Sequence, residues 1–424
     1  MMKKMLFTLL FGMGTLMSAC AQATTATYTN PVINRSLPDP TVIKAPDGYF
    51  YLYATEDTHN VPIYRSKDLV TWRYAGTAFS DATRPMDFVP NGSIWAPEIN
   101  YFQVGDKMQY VLYYSKSEWG KTWECGIGVA VSDRPSGGFH DAHKLFTSDE
   151  MGLENCIDPF FIEDGGKKYL FFGSFHDIYG IELSEDGLSL KEGAKKFKIA
   201  GGLIEATTIM KHDNWYYLIG SAGSCCEGAN STYRMVMARS RRLVGPYVDR
   251  NGKSAVGDNM SLLLEKSPEV YGPGHCSRFV EDEAGQTWII YHGFQASNVD
   301  AGRVTYLDRI VWDEDGWPTV KNMKPSVKAE APIFDGRTGV HALQAASGDD
   351  GYLILPTEGR GMFRIDSPDD VPYSWTVYSV NGTLLSRGTT KGTAVVDVSR
   401  QGRGMYVIKV NGLSGSQSEK VAFL

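Results

Sequence analysis

The stretch Asp158-Pro159-Phe160-Phe161-Ile162, followed after a turn by Lys168 to Ser174 (KYLFFGS), decides the fold of this chain. It joins an acidic residue and a proline to an apolar strand. A second strand follows that is dense in aromatic residues and ends in a small residue. Four further copies of this unit occur along the chain. Their first strands begin at Asp39, Ala96, Glu205 and Gly274, and their second strands are Gly48 to Thr55, Met108 to Ser115, Trp215 to Ser221 and Thr287 to Gly293.

The spacing of the copies, roughly 50 to 70 residues, is typical of four-stranded β-propeller blades. A β-sandwich would not repeat strand types in this order, and the absence of a long amphipathic helical pattern argues against a barrel of alternating strands and helices. We therefore predict an all-β chain with a five-bladed β-propeller over residues 27–336. A linker over residues 337–352 and a small C-terminal β-sandwich-like domain over residues 353–424 follow it.

Length and charge agree with this division and limit the partners. A chain of 424 residues exceeds what one compact core usually holds, so two domains are expected. The formal net charge of −7 argues against a nucleic-acid partner and suits a neutral substrate. We expect a monomer.

The first 23 residues are typical of a signal peptide. Lys3 and Lys4 precede an apolar run from Met5 to Met17 that is too short to span a bilayer. Two cleavage sites compete: Ala21-Gln22-Ala23 suits ordinary signal peptidase, whereas Met17-Ser18-Ala19-Cys20 is similar to a lipobox and would leave Cys20 lipidated. Both predict export, either as a secreted protein or to the cell surface.

The cysteines beyond this segment do not form a metal-binding pattern. They are Cys125, Cys156, Cys225, Cys226 and Cys276, an odd number without zinc-type spacing. Adjacent Cys225 and Cys226 leave two alternatives open, a vicinal disulfide or two free thiols.

Propeller geometry brings distant acidic residues together. The first strand of each blade lines the central channel, so Asp39, Glu98, Asp158, Glu205 and His275 are expected to meet near one pocket. Hydrolysis of an acetal needs one protonated acid and one carboxylate, and crowded carboxyl groups shift each other's pKa values apart. For any single Asp-Pro pair, a structural role in a turn is the alternative.

The chain resembles glycoside hydrolase family 43, and within it the arabinanases, over about residues 30 to 330. One segment is more specific than the rest, Cys225 to Arg234 (CCEGANSTYR), and it is similar to an arabinanase signature. The short motifs of the resemblance are Leu37-Pro38-Asp39-Pro40, Ile94 to Ile99 (IWAPEI), Ile157-Asp158-Pro159, Ile204-Glu205-Ala206 and Tyr271 to His275 (YGPGH).

The resemblance implies an enzyme that cleaves α-1,5-L-arabinofuranosidic bonds of arabinan with inversion. Asp39 would be the general base, Glu205 the general acid and Asp158 the residue that tunes the pKa of the acid. Inversion predicts a carboxyl separation of roughly 6.5–9.5 Å between base and acid. His275 would help to hold an ion, often calcium, largely through water. The alternative is a buried histidine that is hydrogen-bonded inside the channel.

Five further residues are candidates for substrate binding: Trp95, Phe175, His176, Asn155 and Arg303. Trp95 suits a sugar platform or packing between blades. Arg303 suits a hydrogen bond to a sugar hydroxyl or to a catalytic carboxylate, or a structural role.

Three positions depart from the arabinanase pattern, namely His176 in place of Trp, Thr207 in place of Pro and Cys276 in place of Asn. None is one of the three acids. Because His176 falls at an expected subsite, an exo-acting α-L-arabinofuranosidase or a β-xylosidase of the same family is an alternative. The substrate would then be arabinan or arabinoxylan of the plant cell wall. A glycan-binding propeller without catalysis is the alternative from another class.

The C-terminal residues have a different character. A compact β pattern over residues 371–424 resembles the C-terminal sorting domain of type IX secretion. The matching parts are Val377 to Gly382 (VYSVNG), Val396-Asp397-Val398, Gly404 to Ile408 (GMYVI) and Lys420-Val421. The resemblance implies a segment addressed to that secretion machinery, and it favours ordinary signal cleavage over lipidation. A short carbohydrate-binding sandwich is the alternative.

Overall fold

A computed structural model describes residues 26–334, 352–357, 361–367, 371–379, 383–402, 404–412 and 415–423. The predicted signal peptide, with Cys20, lies outside these residues, as does nearly all of the predicted linker over residues 337–352. Within the described ranges, no helix is long and apolar enough to cross a bilayer.

Strand β1 (Thr27–Thr29) precedes five antiparallel sheets, which follow one another along the chain and are the five predicted blades. Blade one consists of β2 (Thr41–Lys44), β3 (Phe50–Tyr53), β4 (Pro62–Ser66) and β5 (Trp72–Thr77). Blade two consists of β6 (Ser93–Val104), β7 (Lys107–Ser117), β8 (Gly126–Ser132) and β9 (His140–Thr147). Blade three consists of β10 (Phe160–Asp164), β11 (Lys167–Phe172), β12 (Ile178–Glu182) and β13 (Phe197–Ala200).

Blades four and five complete the ring. Blade four consists of β14 (Ile204–His212), β15 (Trp215–Ala222), β16 (Arg234–Ser240) and β17 (Ser261–Leu264). Blade five consists of β18 (Val270–Gly274), β19 (Val280–Glu281), β20 (Thr287–Gln295), β21 (Arg303–Trp312) and β22 (Pro318–Val320). The helical elements of the propeller are helix α1 (Ser148–Met151) and short 3-10 turns at Gly228–Asn230, Ala255–Gly257, Val299–Ala301 and Lys321–Met323.

The aromatic second strands fill the spaces between blades. Five apolar clusters occur in the propeller, and each joins side chains of two neighbouring blades. Between blades two and three, for example, the Phe161 ring stacks on Phe102 at 4.8 Å and on Tyr113 at 5.6 Å between centroids. Because both faces of a blade are covered, the central residues of the second strands are buried in succession instead of alternating between buried and exposed.

The ring is closed by the segment before blade one. Strand β1 pairs with β23 (Lys328–Glu330), and the Val32 and Leu37 amides donate to the Thr305 and Arg303 carbonyls, both at 2.9 Å. The start of the propeller is thereby joined to blade five.

The C-terminal residues form two further antiparallel sheets. The first contains β24 (Leu353–Pro356), β25 (Met362–Asp366) and β28 (Ala394–Asp397), and the second contains β26 (Pro372–Ser379), β27 (Leu384–Lys391), β29 (Gly404–Gly412) and β30 (Gly415–Phe423). A 3-10 turn occurs at Ser399–Gln401. The two sheets share one apolar cluster. The buried Arg65 of blade one donates to the Ile354 carbonyl at 2.9 Å, which ties this unit to the propeller.

Candidate active site

Each blade has a residue in the left-handed backbone region next to or within its innermost strand. These residues are Asp39 (φ 56°), Ala96 (φ 41°), Asp158 (φ 57°), Ala206 (φ 56°) and His275 (φ 48°). Such angles cost roughly 1 kcal/mol or more in residues other than glycine, so their recurrence indicates a shared constraint. Glu205 precedes its left-handed residue by one position, and a bulge follows it in β14. Glu205 therefore lies one position earlier in its blade than Asp39 and Asp158 do in theirs.

The residue near the end of each second strand links its blade to the next. The hydrogen bonds join Thr55 Oγ1 to the Ala96 amide (2.7 Å), Ser115 Oγ to the Asp158 amide (2.9 Å), Ser174 Oγ to Glu205 Oε2 (2.6 Å), Ser221 Oγ to the His275 amide (2.9 Å) and His292 Nδ1 to the Asp39 amide (3.0 Å). Four of the five accept from a backbone amide. Ser174 instead donates to the side chain of Glu205, and Asp158 Oδ2 accepts from the Ala206 amide at 3.1 Å.

Asp39 is surrounded by positive charge. Its Oδ1 lies 3.1 Å from Arg303 Nη1 and 3.1 Å from His275 Nδ1, and its Oδ2 accepts from the Thr55 hydroxyl at 2.6 Å. Burial opposes ionisation, but the charges of Arg303 and His275 outweigh it and hold the pKa of Asp39 well below its usual range. Asp39 is thus a carboxylate over the whole physiological pH range.

His292 supports Asp39 as a neutral ring. Its Nδ1 accepts the Asp39 amide proton, so this nitrogen is unprotonated. Burial lowers the pKa of His292 to about 4, with the Arg303 charge acting in the same direction. The 3.3 Å approach of His292 Nδ1 to Asp39 Oδ1 is therefore not an ion pair.

Glu205 has the opposite environment. The Ser174 hydroxyl donates to Oε2 at 2.6 Å and the Tyr233 hydroxyl donates to Oε1 at 2.7 Å. Burial raises the pKa of Glu205, and these two hydrogen bonds offset part of that increase because they favour the carboxylate. The pocket therefore contains a carboxyl that holds a proton more strongly than Asp39 does.

Asp158 and His275 complete the cluster. Burial raises the pKa of Asp158, and the negative charges of Glu205 and Asp39 raise it further against the opposing charge of His275. Burial lowers the pKa of His275, but Asp39 and the other two acids outweigh it and raise that pKa above the usual value. The predicted convergence of Asp39, Asp158, Glu205 and His275 is confirmed.

Glu98 does not belong to this pocket. Its carboxylate contacts Arg278 and accepts from the Thr41 hydroxyl at 2.8 Å. In the register of blade two it lies two residues beyond the left-handed Ala96, and therefore deeper in the channel. Arg278 also donates to Asn100 Oδ1 at 2.9 Å, so this polar group crosses the channel from blade five to blade two.

The predicted substrate-binding residues fall into two groups. Arg303 donates a hydrogen bond to Asp39, and a bond to a catalytic carboxylate is one of the three roles predicted for Arg303. The others lie near the pocket mouth. Trp95 makes an edge contact with Trp119 at 6.2 Å, Asn155 Nδ2 donates to the Ser174 carbonyl at 3.0 Å, Phe175 is exposed, and His176 Nδ1 lies 2.7 Å from Glu154 Oε2.

Several contacting residues were missed from the sequence. Ser174 and Thr55 are the small residues at the ends of their second strands, a position that the repeat in the sequence already marked. His292 replaces that small residue in blade five. Tyr233 lies inside the segment that resembles an arabinanase signature. In the same segment, Cys225 and Cys226 form a disulfide, and the other three cysteines of the described residues are free and buried.

The donors near His275 do not fit a directly bound calcium ion. Within the described part of the chain, no group of three or more His, Cys, Asp or Glu side chains is arranged to hold a metal. Calcium prefers six to eight oxygen ligands, whereas His275 offers nitrogen and directs Nδ1 at Asp39.

The protein-family comparison agrees with this geometry. The model of glycosyl hydrolases family 43 matches residues 28–318, which is more than half of the chain. The chain belongs to glycosyl hydrolase family 43. Together with the acids in the pocket, membership makes this protein a glycoside hydrolase.

Relatives of known name support the same family. An extracellular exo-α-(1→5)-L-arabinofuranosidase of Cellvibrio japonicus is 31% identical over 307 residues, covering 66% of this chain and 85% of its own length. An extracellular endo-α-(1→5)-L-arabinanase of Bacillus subtilis is 31% identical over 301 residues, covering 68% and 88%. The structure of a Cellvibrio cellulosa α-L-arabinanase complexed with arabinohexaose has a TM-score of 0.60 and 29% identity, and it covers 68% of this chain and 96% of that one.

Proposed function

We propose that this family 43 protein hydrolyses the α-1,5-L-arabinofuranosidic bonds of arabinan with inversion of the anomeric centre. One observation carries the proposal: Asp39 and Glu205 share a pocket, yet their surroundings shift their pKa values in opposite directions, down for Asp39 and up for Glu205. Both 31% identical relatives are named for α-(1→5)-L-arabinan chemistry, which supports the choice of substrate.

Asp39 acts as the base in this mechanism. Its carboxylate accepts a proton from the attacking water, while Arg303 and His275 fix its orientation through contacts of 3.1 Å each. Inversion requires a water molecule between Asp39 and the sugar, which predicts that the carboxyl groups of Asp39 and Glu205 lie roughly 6.5–9.5 Å apart. This separation stays a prediction.

Glu205 acts as the acid. It donates its proton to the leaving oxygen, and the carboxylate that remains is the form that Ser174 and Tyr233 stabilise. These hydrogen bonds therefore strengthen as the proton leaves, which is the stage at which they assist the reaction. Asp158 accepts from the Ala206 amide, next to the acid, and burial together with the charge of Glu205 raises the pKa of Asp158. The ionisation of the two carboxyl groups is thus linked, and Asp158 takes the role of modulating the acid.

Endo action on linear arabinan is the leading form of the proposal. Exo action is the second candidate, because the Cellvibrio japonicus relative is exo-acting. Product analysis on linear arabinan separates them: a ladder of oligosaccharides indicates endo action, and arabinose alone from the start indicates exo action. Proton NMR of the first turnovers should show the β-anomer, and an initial α-anomer would contradict inversion.

The same assay separates the remaining alternatives. Activity on aryl xylosides without activity on arabinan would indicate a β-xylosidase. A wild type inert on arabinan, arabinoxylan and aryl glycosides would indicate a glycan-binding propeller.

Export and the ion are also proposals. Both 31% identical relatives are named extracellular, which supports a secreted protein. Delivery of the C-terminal unit to type IX secretion machinery stays a prediction, tested by locating a chain truncated after residue 352.

A calcium ion held through water near His275 also stays a prediction, and the roles given to Asp39, Glu205 and Asp158 do not depend on it. Dialysis against a chelator tests it through loss of activity.

A further inference from the structure

The loop between β7 and β8 presents two indoles at the pocket mouth. Strand β7 ends at Ser117, which pairs with Ser93 at the start of β6. The loop therefore leaves blade two at the same end as the left-handed Ala96. Trp119 is 77% exposed and Trp123 is 44% exposed. Large exposed aromatic side chains beside a pocket indicate a contact surface.

Trp123 is held in one orientation by two other segments. Its Nε1 donates to Glu154 Oε1 at 2.6 Å, and Glu154 Oε2 lies 2.7 Å from His176 Nδ1. Glu154 precedes Asp158 by four residues, and His176 follows Ser174 by two. The brace formed by Trp123, Glu154 and His176 thus lies next to the segment that carries Asp158 and to Ser174, which donates to Glu205.

Asn155 joins the same three segments by hydrogen bonds to two backbone carbonyls. Its amide donates to the Thr122 carbonyl at 2.6 Å, and its Nδ2 donates to the Ser174 carbonyl at 3.0 Å. The loop that bears Trp123 is therefore tied to the segment around Ser174 independently of the side chain of Glu154. A preorganised aromatic face loses little entropy when a ligand binds.

We propose that this brace is a binding subsite for a neutral pentose unit of the substrate chain, beyond the units on either side of the cleaved bond. The inference rests on the proposed function. The apolar face of a furanose ring stacks on the fixed Trp123 indole, and the Glu154 carboxylate accepts hydrogen bonds from sugar hydroxyls. An acidic sugar is disfavoured, because Glu154 and the nearby catalytic acids repel it.

A subsite of this kind gives a signature in substrate length. A remote subsite that binds the ground state and the transition state equally contributes uniform binding, so its loss raises KM and leaves kcat unchanged. Substrates too short to reach Trp123 are unaffected. A disturbance of the catalytic cluster would instead lower kcat for every substrate.

The test measures kcat and KM on linear α-1,5-arabino-oligosaccharides of two to six units. For Trp123→Ala we expect KM to rise about three- to tenfold on the longest substrates, with no change on the shortest one that is cleaved. Trp123→Phe should recover most of the loss because it keeps an aromatic face. The matched control is Tyr74→Ala on the outer strand of blade one, where a 41% exposed ring is removed and no change is expected.

Two results would overturn the subsite. An equal effect on all lengths, or no effect on any, contradicts it while the wild type remains active. A wild type that cleaves no arabino-oligosaccharide overturns the proposed function and this inference with it.

Discussion

Tyr233 connects the proposed acid to the proposed base, and removing its hydroxyl tests that connection. The hydroxyl donates to Glu205 at 2.7 Å, and the ring stacks on His292 at 5.7 Å and 8°. His292 in turn accepts from the Asp39 amide at 3.0 Å. We therefore choose Tyr233→Phe, which removes the hydrogen bond to Glu205 and keeps the ring.

The expected magnitude follows from the type of bond that is lost. A hydrogen bond to a charged group contributes about 1.5 kcal/mol or more. A difference of 1.4 kcal/mol changes an equilibrium constant about tenfold. Since the hydroxyl stabilises ionised Glu205, its removal raises the pKa of the acid. Glu205 acts when protonated, so the alkaline limb of kcat/KM should move to higher pH by about one unit.

The assay is the pH dependence of kcat/KM on an arabino-oligosaccharide at low substrate concentration. The matched control is Tyr291→Phe, which removes a similar buried hydrogen bond, from Tyr291 to Asp308 at 2.6 Å, outside the pocket. We expect Tyr291→Phe to lower stability without moving either limb. An unmoved alkaline limb in Tyr233→Phe, or a move to lower pH, would refute the reasoning.

Three further predictions concern the same cluster. Arg303→Met should move the acidic limb of kcat/KM to higher pH, because the Arg303 charge lowers the pKa of Asp39 and the base must be ionised; Arg303→Lys should keep the limb near its wild-type place. Ser174→Ala should move the alkaline limb in the same direction as Tyr233→Phe, and a shift in the acidic limb alone would argue against its contact with Glu205. Gly274→Ala should destabilise the protein by about 1–3 kcal/mol in urea titration and lower kcat, because its Cβ would lie 2.2 Å from Tyr233 Cδ1; unchanged kcat would contradict the required placement of Tyr233.

The fold was predictable because the sequence repeat reflects a packing requirement that every blade shares. Every blade needs an inner strand and an aromatic second strand to fill the space beside its neighbour, so five copies of that pattern predict five blades. Strand ends were predicted less closely: the second strands expected over Gly48 to Thr55 and Met108 to Ser115 are Phe50–Tyr53 and Lys107–Ser117. A change of one residue in backbone conformation decides such boundaries, and a single sequence does not encode it visibly.

The site was predictable only in part. Convergence on the channel follows from the repeat, and it placed Asp39 and Asp158 correctly. The bulge after Glu205 and the deeper position of Glu98 depend on local register, which composition does not reveal. Pairs between loops, such as Trp123 with Glu154, leave no periodic signal, so they were not anticipated.

The roles of Glu205 and Asp39 are tested most directly by the dependence of kcat/KM on the leaving group. Glu205→Gln should lose roughly 100-fold or more on arabino-oligosaccharides, because general acid catalysis is lost. It should retain nearly full activity on an aryl arabinofuranoside whose leaving group needs no protonation. Asp39→Asn should lose activity on both substrates, because water activation is needed for each. The reverse pattern, with Asp39→Asn active on the aryl substrate and Glu205→Gln inactive on it, would contradict the assignment.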